Sequence, residues 1–202
     1  MNTWIWCSTG SLSIEKKLKL KQLIQERCIK VLDHSITLSS GETTKYYYDI
    51  RALFDGKGLN LLGELLLEEI LKFNPKSVGG LEVGAIPLIS VVVAMAYNKN
   101  TNSTSTSGFY VRKSLKQHGL QKKIEGNLQD PVVIVEDVMT TGNSIKQAMD
   151  AVMELGVSVN GVVCVIDRED PRNVLKDNIK YSSLFTHSDF KDFIEGKLIA
   201  KD

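Results

Sequence analysis

The sequence has only three cysteines, Cys7, Cys28 and Cys164, and they stand far apart. An odd, scattered set gives neither a disulfide framework nor the paired spacing of a zinc site. Cys28 and Cys164 sit in apolar patterns and read as small buried hydrophobes of a reducing compartment. There is no large excess of either charge: across 202 residues the formal net charge is +1, which argues against a dedicated nucleic-acid surface. No apolar run approaches the roughly 20 residues that span a bilayer, so no membrane partner is expected. The brief apolar start at Met1–Cys7 lacks the positive region and the length of a secretion signal, which makes a cytoplasmic location the expectation. Internal repeats are absent. So are the Gly-x-x-x-x-Gly-Lys-Ser/Thr loop and the Gly-x-Gly-x-x-Gly fingerprint, which removes the two commonest nucleotide-phosphate motifs.

What is present is an alternation of elements. The spacing of Leu20, Leu23, Ile24, Cys28, Val31 and Leu32 predicts an amphipathic helix over 14–33 with Ser13 as its N-cap. A turn at Ser39-Ser40-Gly41 precedes a predicted strand over 44–50, and a nearly all-apolar helix is predicted over 59–73. A short strand over 78–81 leads through a glycine-bearing turn into a helix over 87–97, with Pro87 in its first turn. A polar loop over 98–107 precedes a strand at 109–111. Residues 132–135, an unbroken apolar run, are predicted as a central parallel strand. A helix over 144–155 with Gly156 as its cap and a strand over 157–166, bent near Asn160-Gly161, complete the pattern. Such alternation predicts an α/β fold with a mainly parallel sheet covered by helices.

Two segments carry chemistry. In the first, the apolar strand runs into Glu136, Asp137, Val138 and Met139, then into the small-residue turn Thr140, Thr141, Gly142, Asn143 and Ser144 at a helix start. Ligands of open α/β sheets bind beyond the carboxyl ends of strands. Free N–H groups at a helix N-terminus suit a phosphate dianion, and the hydroxyls of Thr140, Thr141 and Ser144 add donors. The acidic pair cannot serve that phosphate and is placed to accept from the vicinal hydroxyls of a sugar. Together these features fit a ribose 5-phosphate. In the second segment, Arg112, Lys113, Lys116, His118, Lys122 and Lys123 form a cationic stretch with no acidic residue before Glu125 and few apolar anchors. It reads as a mobile loop whose target is small and anionic. Such a loop can close over a site and exclude water.

The run Val132–Ser144 resembles the signature of the type I phosphoribosyltransferases, and Arg-Lys-x-x-Lys-x-His-Gly at 112–119 is similar to the catalytic loop of their orotate phosphoribosyltransferase branch. Three further segments match that branch: 36–49, with Tyr46, Tyr47 and Tyr48, like its N-terminal substrate segment; 79–87 like its pyrophosphate loop; and Asp167-Arg168 at the next strand end. The resemblance runs from about residue 20 to 190. It implies one phosphoribosyltransferase domain over 1–202, with about 1–50 and the C-terminal segment forming a small hood. It implies Mg²⁺-dependent transfer from phosphoribosyl pyrophosphate to orotate, giving orotidine 5′-monophosphate and pyrophosphate in pyrimidine synthesis, by a homodimer. By it, Glu136 and Asp137 hold the ribose hydroxyls and Thr140 to Ser144 the 5-phosphate, with Val138 and Met139 in the same phosphoribosyl pyrophosphate-binding run. Arg112, Lys113, Lys116 and His118 attend the pyrophosphate, with Lys113, Lys116 and His118 catalytic, and Thr140 and Arg168 position orotate. No metal ligand is assigned to a side chain.

The chain departs from the pattern at Ser39, where some members carry lysine, and at Glu82-Val83, where some carry Tyr-Lys. It has Glu136 where many have aspartate. The alternatives are a transferase of other base specificity and a non-catalytic sensor of phosphoribosyl pyrophosphate. Against the first stand the loop pattern and Arg168; against the second, the retained cations.

Overall fold

A computed structural model describes residues 8–38, 40–98, 106–114, 122–175 and 179–201. The chain divides into two compact units, residues 1–65 with 190–202 and residues 66–189, with the division inside one helix.

In the first unit, helix α1 (Ser8–Leu23) runs into a π-helical turn at Ile24–Cys28, then strand β1 (Ile29–Thr37), which pairs antiparallel with β2 (Thr43–Tyr48). The helix expected to start after Ser13 and run to 33 therefore starts earlier and ends sooner. Leu20, Leu23, Ile24 and Cys28 are buried as their spacing demands. Ile29 and Val31, however, are stiff β-branched residues that the tyrosine strand recruits, Ile29 opposite Tyr48 and Val31 opposite Tyr46. The Tyr46 and Tyr48 rings share a face and meet edge to face at 5.9 Å, and Tyr48 packs on Phe190 at 6.0 Å. Helix α2 (Gly56–Leu71) starts in this unit, and α5 (Lys191–Ile199) closes it through buried Ile194.

The second unit is a six-stranded sheet in the order β5-β4-β3-β6-β7-β8. Its strands are β3 (Ser77–Gly79), β4 (Ser107–Val111), β5 (Ile124–Gly126), β6 (Val132–Met139), β7 (Val159–Asp167) and β8 (Tyr181–Thr186). All neighbours are parallel except β4 and β5. Helix α3 (Ala85–Asn98) packs on β3, β4 and β6; helix α4 (Asn143–Met153) packs on β6 and β7. Val132, Ile134, Val162 and Cys164 form the middle of the core, with Phe109, Ile145, Ala148 and Val152 closing over them. Burial pushes both the Cys28 and Cys164 thiols upward, Cys28 to about 12, as inert apolar sites do.

Two sequence expectations change here, and a third takes a specific form. β6 continues through the acidic pair to Met139, because its pairing with β7 runs on to Met139 opposite Asp167. β5 is a strand inside what reads as loop: only three residues long, it is held by pairing with β4 and not by its own pattern. The bend at Asn160 is a register shift, with Val132 opposite Val159 but Val133 opposite Gly161.

Candidate active site

From β3 the chain crosses outward to β4; from β6 it crosses the other way to β7 and β8. The crevice beyond the carboxyl ends of β3 and β6 is therefore the topological switch point, where open α/β sheets bind ligands. Three segments converge there: residues 80–84 after β3, residues 140–144 after β6, and the strip that follows β7.

The turn after β6 reaches α4 through Gly142, whose φ of 76° lies in the left-handed region. No side chain caps α4, so its first N–H groups are not consumed from within. Thr140 and Thr141 are half-buried, and Asn143 and Ser144 are exposed. Val138 is half-buried and Met139 buried, so Met139 is a core residue under the turn.

Glu136 is buried and Asp137 half-buried. The Asp137 N–H donates to Glu136 Oε1 at 3.3 Å, and the Val138 N–H donates to Asp137 Oδ1 at 2.8 Å. Burial, reinforced by the adjacent Asp137 charge, holds the Glu136 carboxyl well above the usual range, while Lys113 pulls the other way. The Asp137 carboxylate lies against Gly84: a Cβ there would sit 2.9 Å from Oδ2. The loop after β3 and the acidic pair are thus in direct apposition, and a side chain at 84 would have to displace the Asp137 carboxylate.

Cationic residues enter from the end of β4. The Arg112 N–H donates to the Lys123 carbonyl at 2.9 Å, so both ends of the intervening segment are tied together. Arg112 Nε is buried and meets no acceptor among the described residues, an orphaned donor on a cation. Lys113 is exposed, and its N–H donates to Glu82 Oε1 at 2.9 Å. Lys116 and His118 lie outside the described residues.

Arg168 is buried, and its N–H donates to the Met139 carbonyl at 2.9 Å, which puts it beside the end of β6. Its neighbour Asp167 accepts from the Glu169 N–H at 2.8 Å and from the Tyr181 hydroxyl at 3.4 Å. Further along, Asp170 is held at about 2 by Arg172, whose Nη2 and Nε donate to the two carboxylate oxygens at 2.6 and 3.0 Å. Sequence reasoning overlooked this strip beyond Arg168, since an Asp-Pro-Arg-Asn turn has no motif to mark it. Tyr46, Tyr47 and Tyr48 belong to the first unit, where Tyr46 and Tyr48 pack on each other. Among the described residues, no group of three or more His, Cys, Asp or Glu is placed to hold a metal ion, and no helix is long and apolar enough to cross a membrane.

Residues 61–196 match the phosphoribosyl transferase domain family. The chain is 39% identical over 184 residues to an orotate phosphoribosyltransferase of Aquifex aeolicus, an alignment covering 88% of this chain and 98% of the relative. It resembles the crystal structure of Mycobacterium tuberculosis orotate phosphoribosyltransferase in complex with Fe(III) dicitrate at a TM-score of 0.69 and 32% identity, over 86% of this chain and 98% of that one. The complex of the M. tuberculosis enzyme with phosphoribosyl pyrophosphate matches at a TM-score of 0.67 and 29% identity, over 87% and 99%.

Proposed function

The chain belongs to the orotate phosphoribosyltransferases, with their type I phosphoribosyltransferase fold, and on that footing we propose how its residues divide the work of the transfer. The enzyme moves ribose 5-phosphate from phosphoribosyl pyrophosphate to orotate, giving orotidine 5′-monophosphate and pyrophosphate for pyrimidine synthesis. The observation that carries the residue assignment is the uncapped N-terminus of α4, set one turn beyond the acidic pair at the switch point. Phosphate at one end and a diol at the other is the polarity of a ribose 5-phosphate.

In this reading the N–H groups from Thr141 to Ser144 and the hydroxyls of Thr140, Thr141 and Ser144 take the 5-phosphate. Asp137 and Glu136 take the ribose hydroxyls. Arg112, Lys113, Lys116 and His118 face the pyrophosphate. The orphaned Nε of Arg112 supports its part, since a buried unmatched donor on a cation is best satisfied by an oxyanion. Arg168 and Thr140 orient orotate so that N1 points at the anomeric carbon. The bond from that carbon to the pyrophosphate oxygen breaks as the bond to N1 forms, and the cations stabilise the charge growing on the leaving group.

Mg²⁺ fits this site as a substrate-borne ion. It is commonly held by one or two carboxylates together with substrate phosphates, and Asp137 against Gly84 offers one such carboxylate. When bound it supplies charge neutralisation on the diphosphate. We place the enzyme in the cytoplasm, supported by the free buried thiols of Cys28 and Cys164. The single domain with its N- and C-terminal hood, and a homodimer in which each cationic loop serves the neighbouring site, follow from family resemblance. The hood is supported by residues 1–65 and 190–202 grouping into one unit.

The test is loss of orotate absorbance on mixing the protein with orotate, phosphoribosyl pyrophosphate and Mg²⁺. Loss with pyrophosphate release is expected; well-folded protein that leaves orotate unchanged refutes the reading.

A further inference from the structure

We infer that Asn173 is a positioning residue for the ribose-phosphate turn, fixing Gly142 and Met139 from behind without touching substrate. The inference rests on the reading that residues 140–144 take the 5-phosphate.

A glycine such as Gly142 populates left-handed and right-handed backbone about equally, so the turn into α4 has little local preference for the conformation it adopts. A phosphate site made of N–H groups works only if those groups already point at one place. Something outside the turn must supply the restraint. Asn173 is 7% exposed, a buried amide whose groups are each used. Its Oδ1 accepts from the Leu175 N–H at 3.0 Å, and its Nδ2 reaches Met139 Sδ at 3.6 Å. The same Oδ1 lies 2.9 Å from where a Cβ on Gly142 would stand, with Leu175 Cγ at the same distance. The next residue, Val174, donates its N–H to the Thr141 carbonyl at 3.0 Å. The strip 173–175 thus grips the last strand residue, the turn and the helix start together.

The grip is itself held. The Asn173 N–H donates to the Asp170 carbonyl at 3.1 Å, and the Asp170 side chain is clamped by Arg172. Arg168, five residues before Asn173, is anchored on the Met139 carbonyl. Donor-side geometry is therefore set by the far end of the strip that carries the orotate-side arginine. Loss of the amide loosens the phosphate turn while Arg168 keeps its own anchor.

The experiment compares Asn173→Ala, Asn173→Ser and Thr141→Val in the full chain. It measures ribose 5-phosphate affinity by calorimetry, KM for both substrates, and thermal unfolding. Asn173→Ala is expected to weaken ribose 5-phosphate and raise KM for phosphoribosyl pyrophosphate on the order of tenfold, with orotate KM within about twofold. Asn173→Ser, which keeps a hydroxyl near the Leu175 N–H, is expected to recover part of the loss and serves if the alanine variant does not fold. If Thr141→Val weakens ribose 5-phosphate but neither Asn173 variant does, the positioning role is overturned. If Thr141→Val also has no effect, the phosphate assignment itself fails, and the inference with it. An equal rise in both KM values would mean general loosening and would also overturn it.

Discussion

The carboxylate of Glu82 accepts the backbone N–H of Lys113 at 2.9 Å, tying the loop after β3 to the first residues of the cationic segment. The contact uses the backbone of Lys113 and not its side chain. The link is reinforced by the Glu82 N–H, which donates to the Val111 carbonyl at 2.8 Å. Removing the carboxylate by Glu82→Ala is expected to lower kcat severalfold, leave orotate KM unchanged and cost stability only about 0.5–1 kcal/mol. Glu82→Gln keeps an acceptor oxygen and should restore kcat. Steady-state kinetics on both variants decide the point; a glutamine variant as impaired as the alanine one would mean that the charge, and not the hydrogen bond, matters.

Lys113→Ala is expected to cut turnover by about 10²-fold, the scale of losing one preorganised charge partner of a leaving group. Binding of orotidine 5′-monophosphate, which has no pyrophosphate, should stay within about twofold. Calorimetry beside kinetics separates the two, and equal losses in both would remove Lys113 from the leaving-group role.

Glu136 gives a pH signature. Its folded-state carboxyl is held above the ordinary range by burial and by Asp137, so ionising it costs folding free energy. That cost is absent below the unfolded carboxyl value of about 4.3 and grows as pH rises above it. Glu136→Gln removes the cost. The variant should therefore be more stable than the parent at neutral pH, with the gain fading as pH falls toward about 4. Urea unfolding across that range checks the sign; a gain that grows on acidification would contradict it.

Gly142→Ala meets two penalties. The left-handed φ of 76° disfavours any side chain, and the new Cβ would lie 2.9 Å from Asn173 Oδ1. A loss of about 1–3 kcal/mol of stability is expected, with weaker binding of ribose 5-phosphate. Wild-type melting and affinity in the variant would show that the turn relaxes without consequence.

The strand, acidic pair, small-residue turn and helix start were legible because they follow one another between Val132 and Ser144. The cations were legible because Arg112 and Lys113 stand in a stretch without acidic neighbours. Asn173 and Glu82 were not legible. Asn173 contacts Met139 across 34 positions, and Glu82 contacts Lys113 across 31, so neither leaves a local pattern. The same holds for β5, whose three residues pair only because β4 offers an edge.

Sequence by itself determined the α/β alternation, the apolar β6, the helix α4 and the small-residue turn between them, because periodicity and turn chemistry act over a few residues. Tertiary structure decided where β1 takes over from helix, which strands flank β6, and how the switch point sets Gly84 against Asp137. It also raised the Glu136 carboxyl above its ordinary range, through burial and a neighbouring charge, two quantities that exist only once the sheet is packed.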